Sequence, residues 1–100
     1  MEAENIRAEE LRERLENGGQ LNLLDVREPI EFTTYNIGGI NIPLGKLIDR
    51  ANNLNYTKNE EIIVICKMGL RSETGQQILR AHGFRNVHNP EGGLALHKLH

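Results

Sequence analysis

One stretch concentrates the reactive chemistry of this chain: Cys66-Lys67-Met68-Gly69-Leu70-Arg71-Ser72. Cys66 is the lone cysteine, and as a thiolate it is a nucleophile. Backbone N–H groups of a tight loop and of a first helical turn can cradle an anion, and their partial positive charge favours thiolate over thiol. Lys67 and Arg71 stand close to the start of the following helix, where the macrodipole disfavours cations. Glu73 offsets them only in part. The charge pattern therefore asks for an anionic substrate to complete the balance, with Arg71 offering a fixed fork of donors. Gly69 supplies a left-handed or otherwise strained backbone angle at no side-chain cost. Met68 and Leu70 are either core plugs or, if exposed, an apolar rim for a protein partner.

The elements around this loop are readable. Ile62-Ile63-Val64-Ile65 is a β-branched apolar run, the pattern of a buried strand, and it delivers Cys66 at its carboxyl end. Ser72-Glu73 opens a helix with apolar positions at Ile78, Leu79 and Ala81, stopped by Gly83. Gly75 inside that helix costs about 1 kcal/mol relative to alanine, so it marks a close approach to the sheet.

Upstream, residues 7–17 carry Leu11 and Leu15 on one stripe of an otherwise charged helix that Gly18-Gly19 ends. Residues 21–26 read as a strand running into Asp25-Val26-Arg27-Glu28-Pro29, and Pro29 suits the first turn of a short helix through Phe32. Residues 37–44 read as a short strand after a glycine turn, closed by Pro43. Leu44, Leu47, Ile48 and Ala51 give an amphipathic helix over about 44–53, and residues 52–59 are a polar connection. A last short strand falls in 84–89. Pro90-Glu91-Gly92-Gly93 then turns into a terminal helix. Strands alternating with helices imply one parallel sheet covered on both faces, an α/β domain over residues 1–100. In such sheets sites lie beyond the carboxyl ends of strands. Cys66 sits there, and so do Asp25 and Arg27. These two read as a structural ion pair behind the site rather than as reacting groups.

Taken together, Cys66-x-x-Gly69-x-Arg71-Ser72 resembles the active-site loop of rhodanese-type sulfurtransferases. Four residues separate Cys66 from Arg71. Phosphatases of related architecture use a Cys-x5-Arg loop, one residue longer, to hold a tetrahedral phosphate. The shorter loop resembles the version that cradles a persulfide sulfur. Asp25-x-Arg27, the glycine turn before Ile40-Asn41-Ile42-Pro43 and Glu91-Gly92-Gly93 are similar to further motifs of the family, in the same order. The resemblance covers almost the whole chain, from about Ile6 to Leu99. Asn36 stands where the family often has histidine, and His97 where its last helix often has tryptophan.

The resemblance implies a three-layer domain with a central, mainly parallel five-stranded sheet flanked by helices on both faces. It also implies a single-domain sulfurtransferase, with Cys66 catalytic and Lys67, Met68, Gly69, Leu70, Arg71 and Ser72 around the substrate. Sulfane sulfur would pass from thiosulfate or a persulfide to cyanide or a thiol through a Cys66 persulfide. The alternative is a sulfur-relay or docking module that accepts sulfur only from a protein partner. A phosphatase or arsenate reductase is disfavoured by the short loop. An inert buried cysteine is the remaining alternative, and Gly69 and Arg71 argue against it.

Composition narrows the rest. Length of 100 residues, 38% hydrophobic and 26% charged, is that of one modest globular core. A net charge of −2 leaves no electrostatic footprint for nucleic acid or an anionic membrane. One cysteine excludes an internal disulfide and any Cys-x-x-Cys pair, and suits a reducing cytoplasm. The acidic start, Met1-Glu2-Ala3-Glu4, lacks the basic and apolar regions of a signal peptide. His82, His88, His97 and His100 lack ligand spacing, so no metal and no cofactor are assigned. A cytoplasmic monomer is expected. Its partners would be a small anionic sulfur donor and a thiol or protein acceptor.

Overall fold

The computed structural model describes residues 5–98, with side chains described through residue 95. The β-branched run forms β3, Ile62–Ile65, with all four residues buried. On one side it pairs in parallel with β1, Leu23–Asp25, and on the other with β4, Val87–His88. β1 in turn pairs in parallel with β2, Ile40–Asn41, giving the order β2-β1-β3-β4.

Alternation along the two central strands divides the core into two layers. Leu24, Val26, Ile62 and Val64 point to a cluster with Leu47 of α3 (Leu44–Arg50) and Leu79 of α4 (Leu70–Ala81). Leu23, Ile63 and Ile65 point to the other face. There they meet Leu11 of α1 (Ala8–Glu16) and Leu94 of α5 (Gly93–Lys98). The short α2, Pro29–Thr34, follows β1, and a 3-10 turn, Ala51–Asn53, completes α3. Helices thus cover both faces. Gly75 marks a close approach of α4 to the sheet, as its cost inside a helix suggested: a methyl there would lie 3.2 Å from Val64 and 3.4 Å from Val26.

The sheet corrects one expectation. Five strands were implied by resemblance, and the described residues form four. Beyond β4, among the described residues, Ile6 accepts a single backbone bond from Glu91 at 2.9 Å before the chain turns into α1 at Ala8. One bond does not make a ladder. The strands expected over 21–26 and 37–44 are also shorter. Leu21 and Ile37 are apolar because they pack against the second cluster from outside the sheet. Helix α4 starts at Leu70, two residues before Ser72, because Gly69 takes the left-handed cap position at φ 96°. Among the described residues no helix is long and apolar enough to cross a membrane. The expected difference in packing at His97 falls on a side chain outside the described ones.

Candidate active site

Cys66 leaves the end of β3 only 1% exposed, in the angle between that strand and α4. The left-handed turn at Gly69 aims its N–H back at the sulfur, 2.9 Å from Sγ. The thiol donates to Ser72 Oγ at 3.3 Å. Ser72 donates to Asn89 Oδ1 at 2.5 Å, and Asn89 Nδ2 donates to the Gly69 carbonyl at 3.1 Å. The sulfur is therefore held in a closed ring of bonds that ties β3, the loop, the first turn of α4 and the segment after β4. Asn5 Oδ1 backs the ring, accepting from the Asn89 backbone N–H and from Gln76 Nε2.

A second grip comes from the start of α5. Leu94 N–H donates to the Cys66 carbonyl and Ala95 N–H to the Lys67 carbonyl, each at 2.8 Å. Such an approach is possible only because Gly93 has no side chain. A methyl there would sit 2.6 Å from the Cys66 carbonyl oxygen and 2.8 Å from the Gly69 nitrogen, and the backbone has φ 60°. Gly93 is thus part of what shapes the cysteine loop.

At the carboxyl end of β1, Asp25 and Arg27 form the ion pair their spacing suggested. Arg27 Nη2 lies 2.8 Å from Asp25 Oδ2, and the residues are 5% and 1% exposed. Arg27 also donates to the Tyr35 carbonyl, and Asn41 Nδ2 donates to the carbonyls of both Asp25 and Arg27. Fixing this turn fixes the entry of α2, whose Pro29 and capping box hold Glu31 in place. Glu31 is one of the residues that sequence reasoning missed. Its carboxylate meets Arg71 end-on, Nη1 to Oε1 at 2.7 Å and Nη2 to Oε2 at 2.9 Å. Hydrogen bonds from Arg71, then from the Glu28 N–H, lower the Glu31 pKa to about 2. In return Arg71 is held above the ordinary arginine value, chiefly by Glu31.

Residues 7–98 match the profile of the Rhodanese-like domain family. The chain belongs to that family. It is 39% identical over 90 residues to the Bacillus subtilis protein named "Putative sulfur carrier protein YrkF", covering 89% of this chain and 48% of that one. The chain thus spans about half the length of that relative. It is 35% identical to thiosulfate sulfurtransferase PspE of Escherichia coli, covering 71% of this chain and 68% of that protein. The solution structure of the rhodanese-like domain from the Anabaena protein Alr3790 superposes with a TM-score of 0.85 at 31% identity. That match covers 99% of this chain and 75% of the other.

Within this rhodanese-like domain the loop residues singled out from the sequence fall into separate roles. Gly69 and Ser72 touch the sulfur. Arg71 faces Glu31. Met68 and Leu70 are not core plugs: they are 58% and 73% exposed, and Ile30 at the start of α2 is 73% exposed. Lys67 is exposed and lines a groove of about 330 Å³ with Arg27, Ile30, Glu31, Tyr35 and Leu94. Asn36, at the family-atypical position, closes the turn after α2 by donating to the Phe32 carbonyl and accepting from the Gly38 N–H, both at 2.9 Å. Asn89 and Glu31 carried no local signal. They are recruited by the parallel pairing that sets their elements beside the loop.

Proposed function

We propose that this domain moves sulfane sulfur through a persulfide on Cys66. The Cys66 thiolate attacks the outer sulfur of the donor. With thiosulfate the S–S bond breaks and sulfite leaves with the electron pair; with a persulfide RSSH a thiolate RS⁻ leaves. The outer sulfur then passes to cyanide, giving thiocyanate, or to a thiol acceptor, and the Cys66 thiolate returns. The observation that carries this reading is the Gly69 N–H, 2.9 Å from Sγ at the carboxyl end of the central strand. Loop N–H groups between Lys67 and Ser72 are the natural holders of the persulfide's charge. Asp25 and Arg27 act from behind by fixing the β1–α2 turn. No separate base is required once the thiolate is formed, and a lone thiol suits a reducing compartment such as the cytoplasm.

A relay role without free turnover is the second reading. The exposed Met68, Leu70 and Ile30 favour it, because apolar residues around a reactive sulfur suit a protein that delivers or receives sulfur. Intact-protein mass spectrometry tests the proposal. After thiosulfate or persulfide treatment the chain should gain one sulfur atom, lose it to cyanide, and gain nothing as Cys66→Ser. Unchanged sulfur loading by Cys66→Ser would sink it.

A further inference from the structure

The sequence left Lys67 and Arg71 as two cations awaiting an anionic substrate, and the fold supplies a different counter-ion. Glu31 takes both terminal nitrogens of Arg71 in one bidentate pair. It is a preorganised partner rather than a passing surface contact: Glu31 Oε1 also accepts the Glu28 N–H at 2.9 Å, so the carboxylate is locked by its own helix. The loop's only other cation is Lys67. Exposed apolar side chains, Ile30 on α2 and Met68 and Leu70 on the loop, belong to the same two segments.

The donors differ in what they bring here. Thiosulfate carries a sulfonate-like head and a double charge, so it must either separate Glu31 from Arg71 or set its charge against the Glu31 carboxylate. A persulfide on an uncharged carrier does neither, and its organic part can lie on the apolar residues. We propose that Glu31 is a specificity-determining residue, which selects persulfide donors over dianionic thiosulfate by occupying Arg71. The proposal rests on the sulfurtransferase reading and names the donor class within it.

The test compares the full chain with Glu31→Gln, which keeps an oxygen for the Glu28 N–H and removes the charge. The donors are thiosulfate and the hydropersulfide of 2-mercaptoethanol. In Glu31→Gln the ratio of kcat/KM for thiosulfate to that for the hydropersulfide should rise about two- to fivefold, the scale of one partly exposed ion pair. Glu31→Ala should move the ratio the same way, and circular dichroism checks that each variant is folded. An unchanged or lower ratio, with both donors loading Cys66, overturns the role of Glu31 and leaves sulfur transfer standing. If neither donor loads the wild-type chain, the sulfurtransferase reading fails instead. Alkylation of Cys66 by iodoacetamide then decides on Glu31. Sulfate, an unreactive dianion, should protect the thiol at lower concentration in Glu31→Gln than in the wild type, and equal protection overturns the proposal.

Discussion

Arg71 and Glu31 stand forty residues apart in sequence, and the Arg71 fork closes on the Glu31 carboxylate at 2.7 and 2.9 Å. The pair ties the first turn of α4 to α2 across the mouth of the cysteine loop. It supplies the counter-charge of Arg71 from within the fold.

The pair should be visible in the acid stability of the domain. Its carboxylate has a pKa of about 2 against an ordinary 4.5, so the folded state binds this proton less readily than the unfolded chain. A depressed carboxylate contributes stability that is fully present above about 4.5 and is lost as pH falls towards 2. Thermal unfolding between pH 7 and pH 2 should show Glu31→Gln less stable than wild type at neutral pH, with the gap closing on acidification. A gap that stays constant down to pH 2 would mean that Glu31 acts without its charge.

The buried pair at the end of β1 should be far more sensitive. Asp25→Ala leaves the buried Arg27 side chain without its carboxylate partner, a change that costs about 3–5 kcal/mol for a buried ion. Replacing both residues, as in Asp25→Ala with Arg27→Met, removes the uncompensated charge and should recover much of that loss. Urea unfolding of the single and double variants reads this directly. Additive losses would show that the residues do not act as a pair.

What the sequence disclosed and what it withheld divide along a physical line. Periodicity is local, so the buried strand at Ile62–Ile65, the helix after it and the Gly69 turn could all be read from a few consecutive residues. Strand ends were overestimated because an apolar side chain such as Leu21 or Ile37 looks the same whether a ladder or only packing holds its backbone. Glu31 and Asn89 were invisible as site residues because their partners depend on which strands lie side by side. Asp25 and Arg27, two apart, were read correctly because their contact is local. The charge argument at Arg71 shows the limit most sharply. The cation and its unfavourable position were legible, while the residue that compensates it was set by tertiary structure.

Asn89 offers a test of the ring around the sulfur. Asn89→Ala removes the acceptor of the buried Ser72 hydroxyl and the donor to the half-buried Gly69 carbonyl. Leaving buried polar groups without partners should cost about 1–3 kcal/mol. Hydrogen exchange should locate the damage: the Gly69 amide, bonded to Sγ, should exchange faster while amides in the middle of α4 change little. Protection at Gly69 equal to wild type would show that the loop holds its shape without Asn89.

The glycines provide a contrast in which one chemical change has opposite signs. At Gly93 an added methyl meets backbone on every side, 2.6 Å from the Cys66 oxygen, 2.7 Å from the Lys67 oxygen and 2.8 Å from the Gly69 nitrogen. Backbone atoms cannot swing aside as a flexible side chain does, and φ of 60° adds strain for any residue with a Cβ. Gly93→Ala should therefore destabilise by about 1–3 kcal/mol or more and also slow sulfur loading, because relief requires α5 to move off the Cys66 and Lys67 carbonyls. Gly45, inside α3, has nothing within 4 Å of the same methyl. There alanine only reduces the freedom of the unfolded chain, so Gly45→Ala should stabilise by about 0.5–1 kcal/mol and leave loading unchanged. Thermal melts and mass spectrometry of the two variants, run side by side, check both signs. Normal sulfur loading in a folded Gly93→Ala would show that the grip of α5 on the loop is dispensable for the chemistry.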